Sequence, residues 1–148
     1  MGSRREGREL ALQALYQLDL TGEEGDPADR LAGFWSQFDE KHEVQRFARE
    51  LVEGVRANRA RIDELIAASA EHWRLPRLSR VDLNLLRLAT FELLSCRDIP
   101  MSVTLNEAIE IARRFGSEDS PTFVNGVLDH IAGVLGAKGE EKPKDGPE

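Results

Sequence analysis

The sequence predicts an all-α fold of seven helices. Apolar residues recur every three or four positions along almost the whole chain, and no stretch alternates apolar and polar residues as a half-buried strand would. Cap residues, prolines and glycines divide this pattern into seven segments. With 148 residues and 41% hydrophobic content, the chain can bury a core without disulfides or metals.

The first four predicted helices occupy the first half of the sequence. The first runs over about residues 4–20 and is apolar on two sides, so we expect it to pack against two neighbours. Asp26 followed by Pro27 opens a short second helix, because Asp caps a helix and proline suits its first turn. A break near Asn58 separates the third helix from the fourth, and Pro76 stops the fourth.

The last three helices are marked by clear start and stop signals. Ser79, with Asp82 three residues later, opens the fifth helix, whose wide apolar surface predicts that it is the central one. The sixth follows a turn at Pro100 and ends at Gly116. Ser120 caps the seventh. Beyond residue 136 no large apolar residue follows, which predicts a disordered charged tail over 137–148.

The distribution of charge limits which nucleic acids the chain can bind. Its net charge of −7 argues against indiscriminate binding, since such affinity comes from Lys and Arg on phosphates. Residues 44–114 nevertheless carry 12 basic and 10 acidic side chains, and four arginines with one carboxylate among them lie close together there, at Arg74, Arg77, Arg80 and Arg87. Because arginine binds phosphate in a bidentate fork, a local basic face is compatible with the acidic whole.

Several features predict a cytoplasmic protein. The single cysteine, Cys96, rules out an intramolecular disulfide and suits a reducing compartment. The N-terminal arginines are followed by only a short apolar stretch, unlike a signal peptide. No apolar run approaches the ~20 residues that cross a bilayer, so no membrane association is expected.

The residues that would support catalysis or a cofactor are scattered. His42, His72 and His130 lie in separate segments, and none stands at metal-ligand spacing from Cys96. Glycines are isolated and form no phosphate-binding loop. The sequence therefore predicts no enzyme, no catalytic residue, no metal and no cofactor.

Three polar segments stand out within the helical pattern. The first is the N-terminal arm with Arg4, Arg5 and Arg8, which could follow a phosphate backbone or be a solvated helix start. The second, Asn106-Glu107, is adequately explained by the start of a helix. For the N-terminal arm, both interpretations, a phosphate contact and a solvated helix start, remain open.

The third polar segment opens the last helix. Ser120 caps backbone N–H groups that suit a phosphate, and Phe123 offers a ring for stacking on a base. Helical spacing alone favours Phe123 as a core residue over a ring exposed for stacking.

These segments, taken together and in order, resemble the NusB family of antitermination proteins. The matching strings are Arg4-Arg5 with Arg8-Glu9-Leu10-Ala11-Leu12-Gln13-Ala14-Leu15-Tyr16, Leu86-Arg87-Leu88-Ala89 with Phe91-Glu92-Leu93, Ile99-Pro100, Asn106-Glu107-Ala108, and Phe123-Val124-Asn125-Gly126-Val127-Leu128-Asp129. The resemblance implies a seven-helix NusB-like fold of two packed helical subdomains, with an N-terminal part over about 1–57 and a C-terminal part over 58–136.

The resemblance also implies a function. Members of the family bind the boxA element of ribosomal RNA leaders jointly with ribosomal protein S10, also called NusE. They join other Nus factors on RNA polymerase, promote read-through of terminators, and have no catalytic site. Some relatives form homodimers and others are monomers, so the resemblance leaves open whether this chain forms a homodimer. Two alternatives remain: the RNA-targeting domain of ribosomal RNA cytosine methyltransferases, and a protein-interaction module that binds no RNA.

Carried over position by position, the resemblance implies two sets of site residues. The residues expected to contact single-stranded RNA are Arg4, Arg5, Arg8, Arg87, Asp119, Ser120 and Phe123. The residues expected to contact S10 are Tyr16, Leu20 and Asp82. Arginines would hold phosphates, Phe123 would stack on a base and Asp119 would accept hydrogen bonds from a base edge. Because Glu6 replaces a basic residue of many relatives, we expect RNA binding to depend on the partner.

Overall fold

The computed structural model describes residues 3–22, 25–37, 42–70, 78–96 and 98–137. Within these ranges the chain forms seven helices and no strand, which confirms the predicted all-α class. The helices are α1 Ser3–Thr21, α2 Pro27–Ser36, α3 His42–Ala57, α4 Arg59–Ser69, α5 Arg80–Ser95, α6 Met101–Phe115 and α7 Ser120–Ala137.

Three predictions reach beyond the described residues. Helix α4 ends at Ser69, and the predicted stop at Pro76 lies outside the described residues, as do two members of the predicted basic cluster, Arg74 and Arg77. Of the predicted tail, residue 137 closes α7, and residues 138–148 are outside the described ranges.

Helix α5 is the centre of the fold, as its wide apolar surface predicts. Every residue from 83 to 90 is buried, and the helix packs against α1, α3, α4, α6 and α7. Its start is fixed locally, because the Ser79 hydroxyl accepts a hydrogen bond of 3.0 Å from the backbone N–H of Asp82.

Two glycines allow helices to approach closely. A side chain at Gly7 of α1 would collide with the Phe47 ring of α3, and one at Gly54 of α3 would collide with the Phe91 ring of α5. At each glycine, an aromatic ring from another helix occupies the space that a side chain would take. The Gly7–Phe47 contact seats the first turns of α1 on α3, which determines where the arm arginines lie.

Buried apolar residues from all seven helices form one continuous core among the described residues. The predicted subdomain boundary at 57/58 coincides with the break between α3 and α4, where the Asn58 side-chain amide donates to the Gly54 carbonyl at 2.8 Å. No described helix is long and apolar enough to cross a membrane.

Candidate nucleic-acid interface

The first turn of α1 exposes two of the predicted RNA-binding arginines. Arg4 lies with its guanidinium 4.6 Å from the centre of the Phe47 ring, a cation–π contact between α1 and α3. Arg5 points to the other side and donates from Nε and Nη2 to the two carboxylate oxygens of Glu107 on α6, at 2.7 and 2.9 Å. The arm therefore lies between α3 and α6.

The Arg5–Glu107 contact affects the charge of both groups. Hydrogen bonding to Glu107 raises the pKa of Arg5, and hydrogen bonding to Arg5 lowers the pKa of Glu107 despite its partial burial. Both side chains are thus charged at neutral pH. The pair remains accessible to solvent, since 44% of the Arg5 side chain is exposed.

Arg8 differs from its two neighbours in being buried. It is 4% exposed and donates three hydrogen bonds of 2.9 to 3.2 Å to the carboxylate of Glu92 on the central helix. Its Nη1 also lies 3.8 Å from Glu107. The expectation that Arg8 holds a phosphate therefore needs correction, because its guanidinium joins α1 to α5 inside the fold.

Helix α6 continues the charged surface away from the arm. Arg114, near its C-terminal end, donates to Glu9 of α1 at 3.0 and 3.3 Å and keeps 68% of its side chain exposed. The preceding Arg113 pairs with Glu110 of its own helix at 2.7 Å. Sequence reasoning did not assign these arginines to the site, although they are the two basic residues of the last turn of α6.

The start of α7 follows directly on the end of α6. Asp119 is exposed, whereas Ser120 is 1% exposed and its hydroxyl accepts a 2.9 Å hydrogen bond from the backbone N–H of Ser117. The Ser120 hydroxyl therefore closes the α6–α7 turn, which corrects the expectation that it faces a ligand. Phe123 is half-buried and packs against the core, so part of its ring remains at the surface.

Arg87 is not brought together with the arm. It is 5% exposed and donates to the Asp63 carboxylate of α4 at 2.9 and 3.2 Å and to Asn84 Oδ1 at 3.4 Å. The arm arginines instead contact Phe47 of α3, Glu92 of α5 and Glu107 of α6. The expectation that Arg87 contacts RNA is thus corrected, because a buried guanidinium with a carboxylate partner is not available to a phosphate.

The predicted partner-binding residues are close to a mostly apolar depression of about 320 Å³. Its walls come from α1, α2, α5 and α6 and are formed by Leu12, Gln13, Tyr16, Gln17, Phe34, Val81 and Phe115. Asp82 is half-buried beside Val81, and Leu20, one turn beyond Tyr16, is 53% exposed. The structure thus brings Tyr16 to the first turn of α5, and contact with a partner stays a prediction.

The described residues contain no candidate metal site. Among them, no group of three or more His, Cys, Asp or Glu side chains is arranged to hold a metal ion. His130 instead forms a 2.8 Å hydrogen bond with Ser69 across α7 and α4. The arm, helix α6 and the start of α7 form the candidate nucleic-acid interface, because they carry exposed arginines and the half-buried Phe123 ring.

Comparison with known proteins agrees with this geometry. The sequence profile of the NusB family matches residues 5–133. The chain is 50% identical over 143 residues to the transcription antitermination protein NusB of Geotalea uraniireducens (strain Rf4), covering 91% of this chain and 97% of that protein. It is 49% identical over 139 residues to that of Myxococcus xanthus (strain DK1622), covering 91% and 98%.

Solved structures extend the likeness to the whole fold. Thermotoga maritima NusB matches with a TM-score of 0.79 and 42% identity, covering 95% of this chain and 93% of that one. The structure of antitermination factors NusB and NusE in complex with double-stranded RNA matches with a TM-score of 0.76 and 26% identity, covering 90% and 98%. From the profile match, the sequence identity and the shared seven-helix fold, the chain belongs to the NusB family.

Proposed function

We propose that this protein is a cytoplasmic transcription antitermination factor that binds boxA RNA of ribosomal RNA leaders jointly with ribosomal protein S10. In this role it joins RNA polymerase and the other Nus factors and promotes read-through of terminators. Support comes from the relatives that carry the antitermination name. The solved complex of NusB, NusE and RNA adds to that support.

One observation carries the RNA-binding part of the proposal. Exposed Arg4 and Arg5 lie near the first half of α6, and Asp119 and Phe123 follow its far end, with exposed Arg114 between them. A helix of 15 residues is about 22 Å long, so these groups form an extended track rather than a pocket. Guanidinium groups hold phosphates, and a half-exposed ring stacks on an unpaired base.

Within this proposal, the buried polar residues shape the track rather than contact RNA. Arg8 holds α1 on α5 and Ser120 closes the turn before α7. The depression beside Tyr16, with Leu20 exposed next to it, is the proposed contact for S10. Its apolar walls suit the apolar core of a protein interface.

A gel shift tests the proposal with boxA RNA and a scrambled RNA, each with and without S10. We expect S10 to strengthen boxA binding and to leave scrambled RNA weakly bound. Replacing Phe123 with Ala should weaken boxA binding roughly fivefold or more, since stacking of one base contributes about 1–3 kcal/mol. Arg4→Ala should weaken binding to both RNAs, because a phosphate contact reads no sequence.

Arg61→Ala is the matched control for the arginine change. Arg61 is exposed on α4 and lies 3.8 Å from Glu64, so its loss removes the same charge at another helix. Equal boxA affinity with and without S10 would contradict the dependence on a partner. Absence of boxA binding under all four conditions would leave the competing reading, an interaction module that binds no RNA.

A further inference from the structure

Three exposed arginines of the α1–α6 surface, Arg5, Arg113 and Arg114, already contact carboxylates. The two donors of Arg5 meet both oxygens of Glu107 in a parallel fork, at 2.7 and 2.9 Å. A phosphate group would use the same fork, because two of its oxygens present the same bidentate geometry. One turn further along α1, Glu9 accepts hydrogen bonds from Arg114 of α6, where the single nitrogen Nη1 donates to both carboxylate oxygens at 3.0 and 3.3 Å.

These ion pairs differ from the buried pair nearby. Arg8 and Glu92 have side chains 5% and 1% exposed, so water and RNA cannot replace either partner without opening the core. The side chains of Arg5 and Glu107 are 44% and 21% exposed. The pair joins α1 to α6 through residues that lie 102 positions apart in sequence. The Arg5–Glu107 pair is thus fixed by the fold and still open to exchange.

A ligand has a route to this pair. A surface depression of about 500 Å³ lies between α1 and the start of α6. Its charged lining comes from three arginines and two carboxylates, and the rest of its lining is apolar: Arg4, Arg5, Arg8, Asp98, Glu107, Ile99, Pro100 and Val103. A phosphate entering it would meet Arg4 and Arg5 together with the negative charge of Glu107. Attraction to the arginines is therefore opposed at the same place.

We propose that Glu107 is an internal substitute for phosphate, which occupies Arg5 in the free protein and limits the affinity of the arm for RNA. This inference rests on the proposed RNA-binding function and assigns a regulator of affinity within it. RNA binding then exchanges one ion pair for another at Arg5, so this arginine contributes little net affinity. The carboxylate would suppress binding to arbitrary RNA, for which phosphate contacts are the main source of affinity.

Neutralising Glu107 without changing its shape is the direct test. Glu107→Gln leaves a side chain of nearly the same size and removes the charge that opposes phosphate. We expect the affinity for single-stranded RNA to rise about two- to fivefold at low salt, the gain of one exposed ion pair between the released Arg5 and a phosphate. The slope of log affinity against log salt should steepen by about 0.7, as for one additional phosphate contact on a single strand.

Two further variants separate this effect from a general change in charge. Glu110→Gln removes the same charge one turn away on α6, where Glu110 pairs with Arg113 at 2.7 Å. It should raise affinity much less. Arg5→Ala in the Glu107→Gln background should abolish the gain, because the gain depends on the released Arg5. Thermal unfolding followed by circular dichroism verifies that every variant is folded.

The probe is a fluorescent single-stranded RNA that carries a boxA element, titrated with each variant in the presence of S10 over a series of salt concentrations. Unchanged or weaker binding by Glu107→Gln, with wild type bound, would overturn the inference and leave the proposed function standing. An equal gain from Glu110→Gln would also overturn it. Absence of binding by both wild type and Glu107→Gln would reject the proposed function and the inference with it.

Discussion

Three arginines within five residues of the arm have three different environments. Arg4 lies on an aromatic ring, Arg5 meets an exposed carboxylate, and Arg8 is buried against Glu92. A buried guanidinium is tolerated only when its charge is compensated and its donors are bonded, which the three hydrogen bonds to Glu92 provide. The same residue type is thus exposed at the surface at one position and joins two helices in the interior four residues away.

Removing the partner of Arg8 should destabilise the protein strongly. Glu92→Gln leaves an uncompensated charge in the core, and we expect the free energy of unfolding to fall by about 3–5 kcal/mol. Urea denaturation followed by circular dichroism measures the change. Glu53→Gln is the control, since Glu53 is largely exposed beside Arg56 and should cost under about 1 kcal/mol. Equal losses in the free energy of unfolding would contradict the prediction that the buried pair stabilises the fold more than the exposed pair.

The sequence could not have separated these arginines. Burial of Arg8 depends on Glu92, which lies 84 positions away, and burial of Arg87 depends on Asp63, 24 positions away. Nothing in the local spacing marks either partner. The resemblance to relatives carried Arg8, Arg87 and Ser120 into the expected RNA contacts, but only the packing of helices reveals that their side chains face inward.

At the scale of helices, starts and ends followed from local signals. Ser79 caps α5 through the N–H of Asp82, the break at Asn58 separates α3 from α4, and α7 begins at Ser120. Such signals are readable from sequence because each depends on residues within one turn. How α1 packs against α3 and α5 was not readable from sequence, since it depends on contacts such as the one between Gly7 and Phe47.

The close approach of α3 and α5 should be sensitive to a single methyl group. At Gly54→Ala, the new methyl would overlap the Phe91 ring, and we expect a loss of about 1–3 kcal/mol in the free energy of unfolding. Gly133→Ala is the control within α7, where no atom lies within 4 Å of the added methyl. It should stabilise the protein by up to about 1 kcal/mol through helix propensity. Thermal melting of both variants checks the opposite signs.

At the scale of the whole molecule, the exposed arginines of the candidate interface contrast with the acidic net charge of the chain. The chain carries a net charge of −7, yet exposed arginines follow the arm and the end of α6. Under the proposed function, the acidic remainder would repel RNA elsewhere and favour binding along this track. Membership of the NusB family confirms the sequence-based prediction that the chain is not an enzyme.

The division into two subdomains remains a prediction, and the single core bears on how they fold. Apolar faces of α1 and α3 pack on α5, which belongs to the predicted C-terminal part. A fragment of residues 1–57 would expose those faces to water and lose the burial that compensates its ordering entropy. We therefore expect this fragment to show little cooperative helical structure in isolation.

Unfolding of the intact chain should accordingly be one cooperative transition. Because the chain carries a second tryptophan, Trp73, the experiment uses a Trp73→Phe variant. Its fluorescence then reports on Trp35, which is buried in α2 within the N-terminal part, whereas circular dichroism reports on all helices. Coincident urea transitions by the two probes are expected, since loss of either part exposes the apolar surface of α5. Two separated transitions, or a fragment 1–57 that melts cooperatively by itself, would show instead that the subdomains are independent folding units joined only by a contact surface.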